Sequence, residues 1–140
     1  MIHLTRRYRF SASHRLHSSA LSAQENVRVY GKCDNPYGHG HNYVLHVTVS
    51  GEVDPATGMV LDLALLDRVV GEEVLQPFGH SHLNLDVETF KRVTPTSENV
   101  CVEIFRLLRT RLEKDTSDGR ARLHKVLLEE TSSNYFEYEG

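Results

Sequence analysis

His39 and His41 stand two residues apart in a stretch whose apolar side chains alternate, His39, His41, Tyr43, Leu45, Val47 and Val49. On a β-strand such residues leave from one face, so the two imidazoles can close on a single ion. His14 ends another mostly alternating run, in which Ile2, Leu4, Arg6, Tyr8, Phe10, Ala12 and His14 share one parity. If the two runs pair antiparallel, the far end of the first meets the start of the second, and three imidazoles converge. Three neutral imidazoles with a fourth position open describe a catalytic zinc centre. Histidines satisfied in a core or lying on the surface are the other reading of the same residues. Cys33 lies six residues before His39, in a segment with Gly31, Asn35, Pro36 and Gly38. A nearby cation would lower its thiol pKa and make it a base or nucleophile; an inert buried thiol stays open beside that reading. Cys101 falls on the apolar side of a predicted helix, where packing is its natural role.

These residues need elements to hold them. The alternation predicts strands over residues 2–14 and 39–49, separated by a loop over 31–38. A turn at Asp54–Gly58 precedes Asp62, which N-caps a helix carrying Leu63, Leu65, Leu66, Val69, Val70, Val74 and Leu75 and ending before Pro77. Residues 77–86 read as a loop. A second helix starts near Thr96 or Ser97, with Glu98 near its positive end and an apolar stripe from Val100 to Leu112. Residues 115–119 break it. Arg122–Thr131 and Tyr135–Tyr138 then form a closing hairpin. The predicted order is ββααββ, an α+β domain whose antiparallel sheet carries two helices on one face. Exposed sheet edges invite side-by-side assembly of copies.

A chain of 140 residues predicts one domain, 1–140. A formal net charge of -3 argues against a nucleic-acid surface. No apolar run approaches the roughly 18 residues of a membrane span, and the start MIHLTRRYRF has no secretion-signal stretch, so a cytoplasmic protein without a membrane partner is expected. Two cysteines are too few for a disulfide framework.

FSASHRL at 10–16, GKCDNPYGHGHNY at 31–43, GMVLDL at 58–63, TSENV at 96–100 and EET at 129–131 together resemble the 6-pyruvoyl-tetrahydropterin synthase and 6-carboxy-tetrahydropterin synthase family. The resemblance implies a zinc ion on His14, His39 and His41, with Cys33 as the proton-abstracting base and His80 in a proton relay. It also implies a pterin ring gripped by Glu130 and contacted by Thr96, Ser97 and Glu98. The implied fold is of the tunnelling type, with subunits joined into a barrel, here a homohexamer built as a dimer of trimers. The implied activity is that of a lyase of tetrahydrobiopterin biosynthesis, which converts 7,8-dihydroneopterin triphosphate to 6-pyruvoyl-tetrahydropterin and triphosphate with no organic cofactor.

Within that family the five-residue gap between Cys33 and His39 is closer to the pyruvoyl enzymes than to the 6-carboxy enzymes of queuosine biosynthesis, the first alternative. The second alternative is a non-catalytic zinc- or pterin-binding homologue, because the family's relay aspartate is replaced by Gly79 in Gly79-His80-Ser81-His82. Asp62, Asp86 and His82 are candidate stand-ins, and an aspartate restored at position 79 is expected to orient His80 and raise turnover. Arg15 and Lys32 are candidates to hold the triphosphate.

Overall fold

The computed structural model describes residues 1–140 except Ser117. Strand β1 (Ile2–His14) pairs antiparallel with β2 (His39–Gly51), and the register sets His14 opposite His39, Ala12 opposite His41 and Phe10 opposite Tyr43. Strand β4 (Ala121–Thr131) pairs with β2 and with β5 (Asn134–Tyr138), both antiparallel. The predicted helices are α2 (Leu63–Val70), capped by Asp62 accepting from the Ala64 N–H at 3.0 Å, and α5 (Ser97–Asp115), capped by Thr96.

The strictly antiparallel ββααββ reading is corrected in three places. A short strand β3 (Ser81–His82) pairs parallel with β1 at Ala12 and Ser13, so the sheet is mixed and five-stranded, in the order β3-β1-β2-β4-β5. Residues 77–86 are therefore no simple loop. Helix α2 runs on through a π turn (Gly71–Leu75) into a three-residue α3 (Gln76–Phe78), and α4 (Leu83–Asp86) follows β3. Finally, α1 (Ala23–Tyr30) and a 3-10 turn (Gly31–Asp34) occupy the β1–β2 connection. The sequence does carry a signal for α1: Ser22 and Glu25 form a reciprocal capping box. The predicted break over 115–119 includes Ser117, which lies outside the described residues.

One face of the sheet is buried. Phe10, Ala12, Tyr43, Leu45, Val47, Val49, Val126 and Leu128 pack with Leu66, Val69 and Val70 of α2 and with Val100, Ile104 and Leu108 of α5. Each fully buried aliphatic of this set contributes roughly 1.5–3 kcal/mol. Arg6, a charged residue on the apolar parity of β1, is accommodated by a two-point contact with the Asp67 carboxylate at 2.6 and 2.9 Å, to which the Tyr8 hydroxyl also donates at 2.8 Å. Among the described residues no helix is long and apolar enough to cross a membrane.

Candidate metal centre and its surroundings

The parity that buries Phe10 and Tyr43 carries His14, His39 and His41 onto the same side at one end of the sheet. Each offers one ring nitrogen, and the three lie within 4.8 Å of one another. The Nε2 atoms of His14 and His39 approach to 3.0 Å. His14 Nδ1 lies 2.8 Å from the Pro95 carbonyl oxygen. A carbonyl only accepts, so Nδ1 carries the proton and the Nε2 lone pair faces the cluster, the orientation that a metal ligand needs. His41 Nε2 is buried and has no hydrogen-bond partner. Leaving a buried polar atom orphaned costs about 1–3 kcal/mol, so the donor set fits a cation that would satisfy it.

The electrostatics agree. Burial, offset in part by the hydrogen bond to Pro95, pushes His14 down to about 4, and burial lowers His39 as well. Both rings are thus neutral near pH 7 and ready to ligate. Glu130 places a carboxylate oxygen 3.5 Å from His41 Nε2, too long for a hydrogen bond but close enough to favour positive charge in the cluster. Its other oxygen accepts a short hydrogen bond from the Ser97 hydroxyl at the start of α5.

A pH dependence follows from His14. The unfolded chain protonates this residue near its ordinary value of 6.5, whereas the folded protein resists until about 4. The unfolded state therefore binds more protons across that window, and the metal-free protein is expected to lose stability as pH falls through it. His14→Asn, which can still donate to Pro95, should flatten the decline in thermal melts of chelator-treated protein.

The other sequence-predicted residues divide. Cys33 is partly buried in the 3-10 turn, and its carbonyl accepts the Leu16 N–H at 2.8 Å, which fixes the turn two residues beyond His14. Ser97 and Glu130 join the histidine cluster. Thr96 spends its hydroxyl on capping, accepting the Asn99 N–H at 3.3 Å, and Glu98 is exposed. His80 is exposed at the sheet edge, held in the left-handed region at φ 54° with its N–H donating to Ser11 O at 2.6 Å. It borders a concavity shared with Ser11, Asn42 and His41, and among the described residues no hydrogen bond joins it to Cys33. Of the proposed stand-ins for the relay aspartate, Asp62 caps α2 and Asp86 accepts the His82 N–H at 2.8 Å.

Position 79 has a structural reason to be glycine. A Cβ there would stand 2.5 Å from the Leu75 carbonyl oxygen, which already accepts the Gly79 N–H at 3.0 Å. A relay aspartate therefore cannot enter unless the π-turn backbone moves, and the simple gain expected from restoring it is revised. Gly79→Ala and Gly79→Asp should each cost about 1–3 kcal/mol, read as a fall of several degrees in Tm.

Residues missed by sequence reasoning include Tyr43, whose ring lies 5.6 Å from that of His41 and whose buried hydroxyl has no partner. Its place two residues after His41 was the available signal. Burial holds its phenol well above the ordinary range, so it stays protonated.

Comparison with known proteins gives a consistent result. The profile described as 6-pyruvoyl tetrahydropterin synthase matches residues 3–140. Proteins named 6-pyruvoyl tetrahydrobiopterin synthase from Pongo abelii and Homo sapiens are 49% and 48% identical, each over 98% of this chain and 90% of its relative. The solved structure of Caenorhabditis elegans 6-pyruvoyl tetrahydropterin synthase superposes with a TM-score of 0.92 at 45% identity, covering 99% of this chain and 95% of the other.

Proposed function

This chain belongs to the 6-pyruvoyl tetrahydropterin synthase family, and from that premise we propose that it is a zinc-dependent lyase converting 7,8-dihydroneopterin triphosphate to 6-pyruvoyl-tetrahydropterin and triphosphate. The observation that carries the reading is the convergence of His14, His39 and His41 with the orphaned His41 Nε2 beside Glu130. These three histidines would hold Zn2+, which when bound supplies Lewis acidity to the side-chain oxygens of the substrate and so acidifies the neighbouring C–H groups.

The chain's own residues do the rest. Glu130, braced by Ser97, offers an acceptor carboxylate to the N–H groups of the pterin ring, an arrangement that fixes the ring relative to the histidines. Thr96 and Glu98 extend that contact region at the start of α5. Cys33, as thiolate, takes the proton from the side-chain carbon. His80 returns and passes protons, with its orientation set by the backbone and not by a carboxylate at position 79. One pterin synthase domain, 1–140, performs this in the cytoplasm. The free edge of β1 beyond the two-residue β3, and the opposite edge at β5, suit side-by-side pairing of copies into a barrel, a dimer of trimers.

Incubation of purified, zinc-loaded protein with 7,8-dihydroneopterin triphosphate, followed by mass analysis, tests the reading. The pyruvoyl product with released triphosphate is expected. A product shortened to the 6-carboxy compound would move the chain to the queuosine branch, and unchanged substrate with retained pterin binding would make it a non-catalytic homologue.

A further inference from the structure

Beside the histidine cluster lies a second concavity of about 490 Å³, within the range of roughly 300–1,000 Å³ usual for small-molecule sites. Arg15, His17, Lys91 and Arg92 line it, together with His82 and Asn84, and no carboxylate is among its lining residues. The four basic side chains come from segments more than seventy residues apart, so their meeting is a product of the fold.

The back of this cavity is built. Buried Asp34 lies behind Arg15 and His17: the Arg15 Nε donates to the Asp34 carbonyl at 3.0 Å, and its Nη2 lies 3.1 Å from the carboxylate. His17 Nδ1 lies 2.6 Å from the same carboxylate oxygen. Asn84 clamps the Arg15 backbone from both sides, accepting its N–H at 2.8 Å and donating to its carbonyl at 2.9 Å. Arg15 Nη1 and His17 Nε2 make no hydrogen bond among the described residues. Lys91 and Arg92, exposed at the end of the 3-10 turn Glu88–Lys91 and at its cap, pair among the described residues only with Glu88, whose side chain is 71% exposed, at 3.0 and 3.6 Å. Exposed pairs of this kind contribute little, so a multivalent anion can recruit both cations.

The cavity is also contiguous with the proposed reaction site. Arg15 directly follows His14, and Thr94 in the cavity wall directly precedes Pro95, whose carbonyl holds His14. His82 borders both this cavity and the concavity that contains His41, and its buried Nδ1 has no partner.

We propose that this cavity is the polyphosphate subsite: a triphosphate leaves the histidine cluster past His82 and lies among Arg15, His17, Lys91 and Arg92. The assignment rests on the pterin triphosphate reading above. It selects Arg15 over Lys32, which does not line the cavity.

Calorimetric titration of the metal-loaded protein with inorganic tripolyphosphate tests it, using the double variant Lys91→Gln/Arg92→Gln, whose sites are exposed and safe for folding, and Arg15→Gln. Arg109→Gln, on an exposed face of α5, is the control for general charge loss and for chelation of the metal, which would be alike in every variant. Wild type and Arg109→Gln should bind alike, with affinity falling as salt rises, and the double variant should bind at least tenfold more weakly. The KM for 7,8-dihydroneopterin triphosphate should rise in step, while binding of unphosphorylated dihydroneopterin stays unchanged. Equal tripolyphosphate affinity in wild type and double variant would overturn the subsite, even if the protein turns the pterin triphosphate over. Selective loss of tripolyphosphate binding in a protein that shows no turnover would support the subsite and remove the lyase reading instead.

Discussion

Cys33→Ala should lose about 10²–10⁴-fold in turnover, the usual contribution of a positioned acid-base group, while keeping its metal content and its melting temperature. The thiol is no part of the histidine cluster, and the contact that fixes its turn is made by its backbone carbonyl with Leu16, which the substitution leaves in place. Cys101 is the internal control. It is 1% exposed, and burial pushes its thiol up to about 12, so it stays protonated and chemically inert. Cys101→Ala should cost about 1 kcal/mol through a small cavity and leave kcat near wild type. Steady-state rates with metal analysis on both variants decide the matter; equal rates for wild type and Cys33→Ala would remove the thiol from the reaction.

His39→Ala or His41→Ala should reduce bound zinc from about one ion per chain to a small fraction, with turnover lost in proportion. Two ligands on one strand cannot complete a three-imidazole set when either is missing, and no other histidine, cysteine or carboxylate group among the described residues gathers into a comparable cluster. Both rings are only partly buried, so these variants separate binding from folding. His14→Ala does not: His14 is 1% exposed, and its loss leaves the Pro95 carbonyl without its donor. It should therefore lower both zinc content and Tm. Chelation of the wild type should abolish turnover, zinc should restore it, and the metal-free protein should melt at a lower temperature because the ion binds only the folded state. Full zinc occupancy in both His39→Ala and His41→Ala would place the metal elsewhere.

The histidine cluster was largely legible in the chain because its geometry is local. Period-two alternation put His39, His41 and Tyr43 on one face, and the antiparallel register of β1 with β2 then set His14 opposite His39. The helices were legible for the same kind of reason: Asp62 and Thr96 cap them, and their apolar spacing faces the sheet. Helix α1 was missed although its capping box was present, because its apolar residues do not form a core-facing stripe: Val27 and Val29 are exposed and its one buried residue is Asn26. The parallel strand β3 left no mark at all, since two residues cannot show a period and their partner lies about seventy positions away. Only the fold decided that Glu130 arrives beside His41, that a side chain at position 79 would strike Leu75, and that Lys91 and Arg92 meet Arg15 around one cavity. Capping and periodicity depend on neighbours within a few residues, so the chain displays them directly. The meeting of distant loops depends on sheet order and packing against a shared core, which no short window of sequence contains.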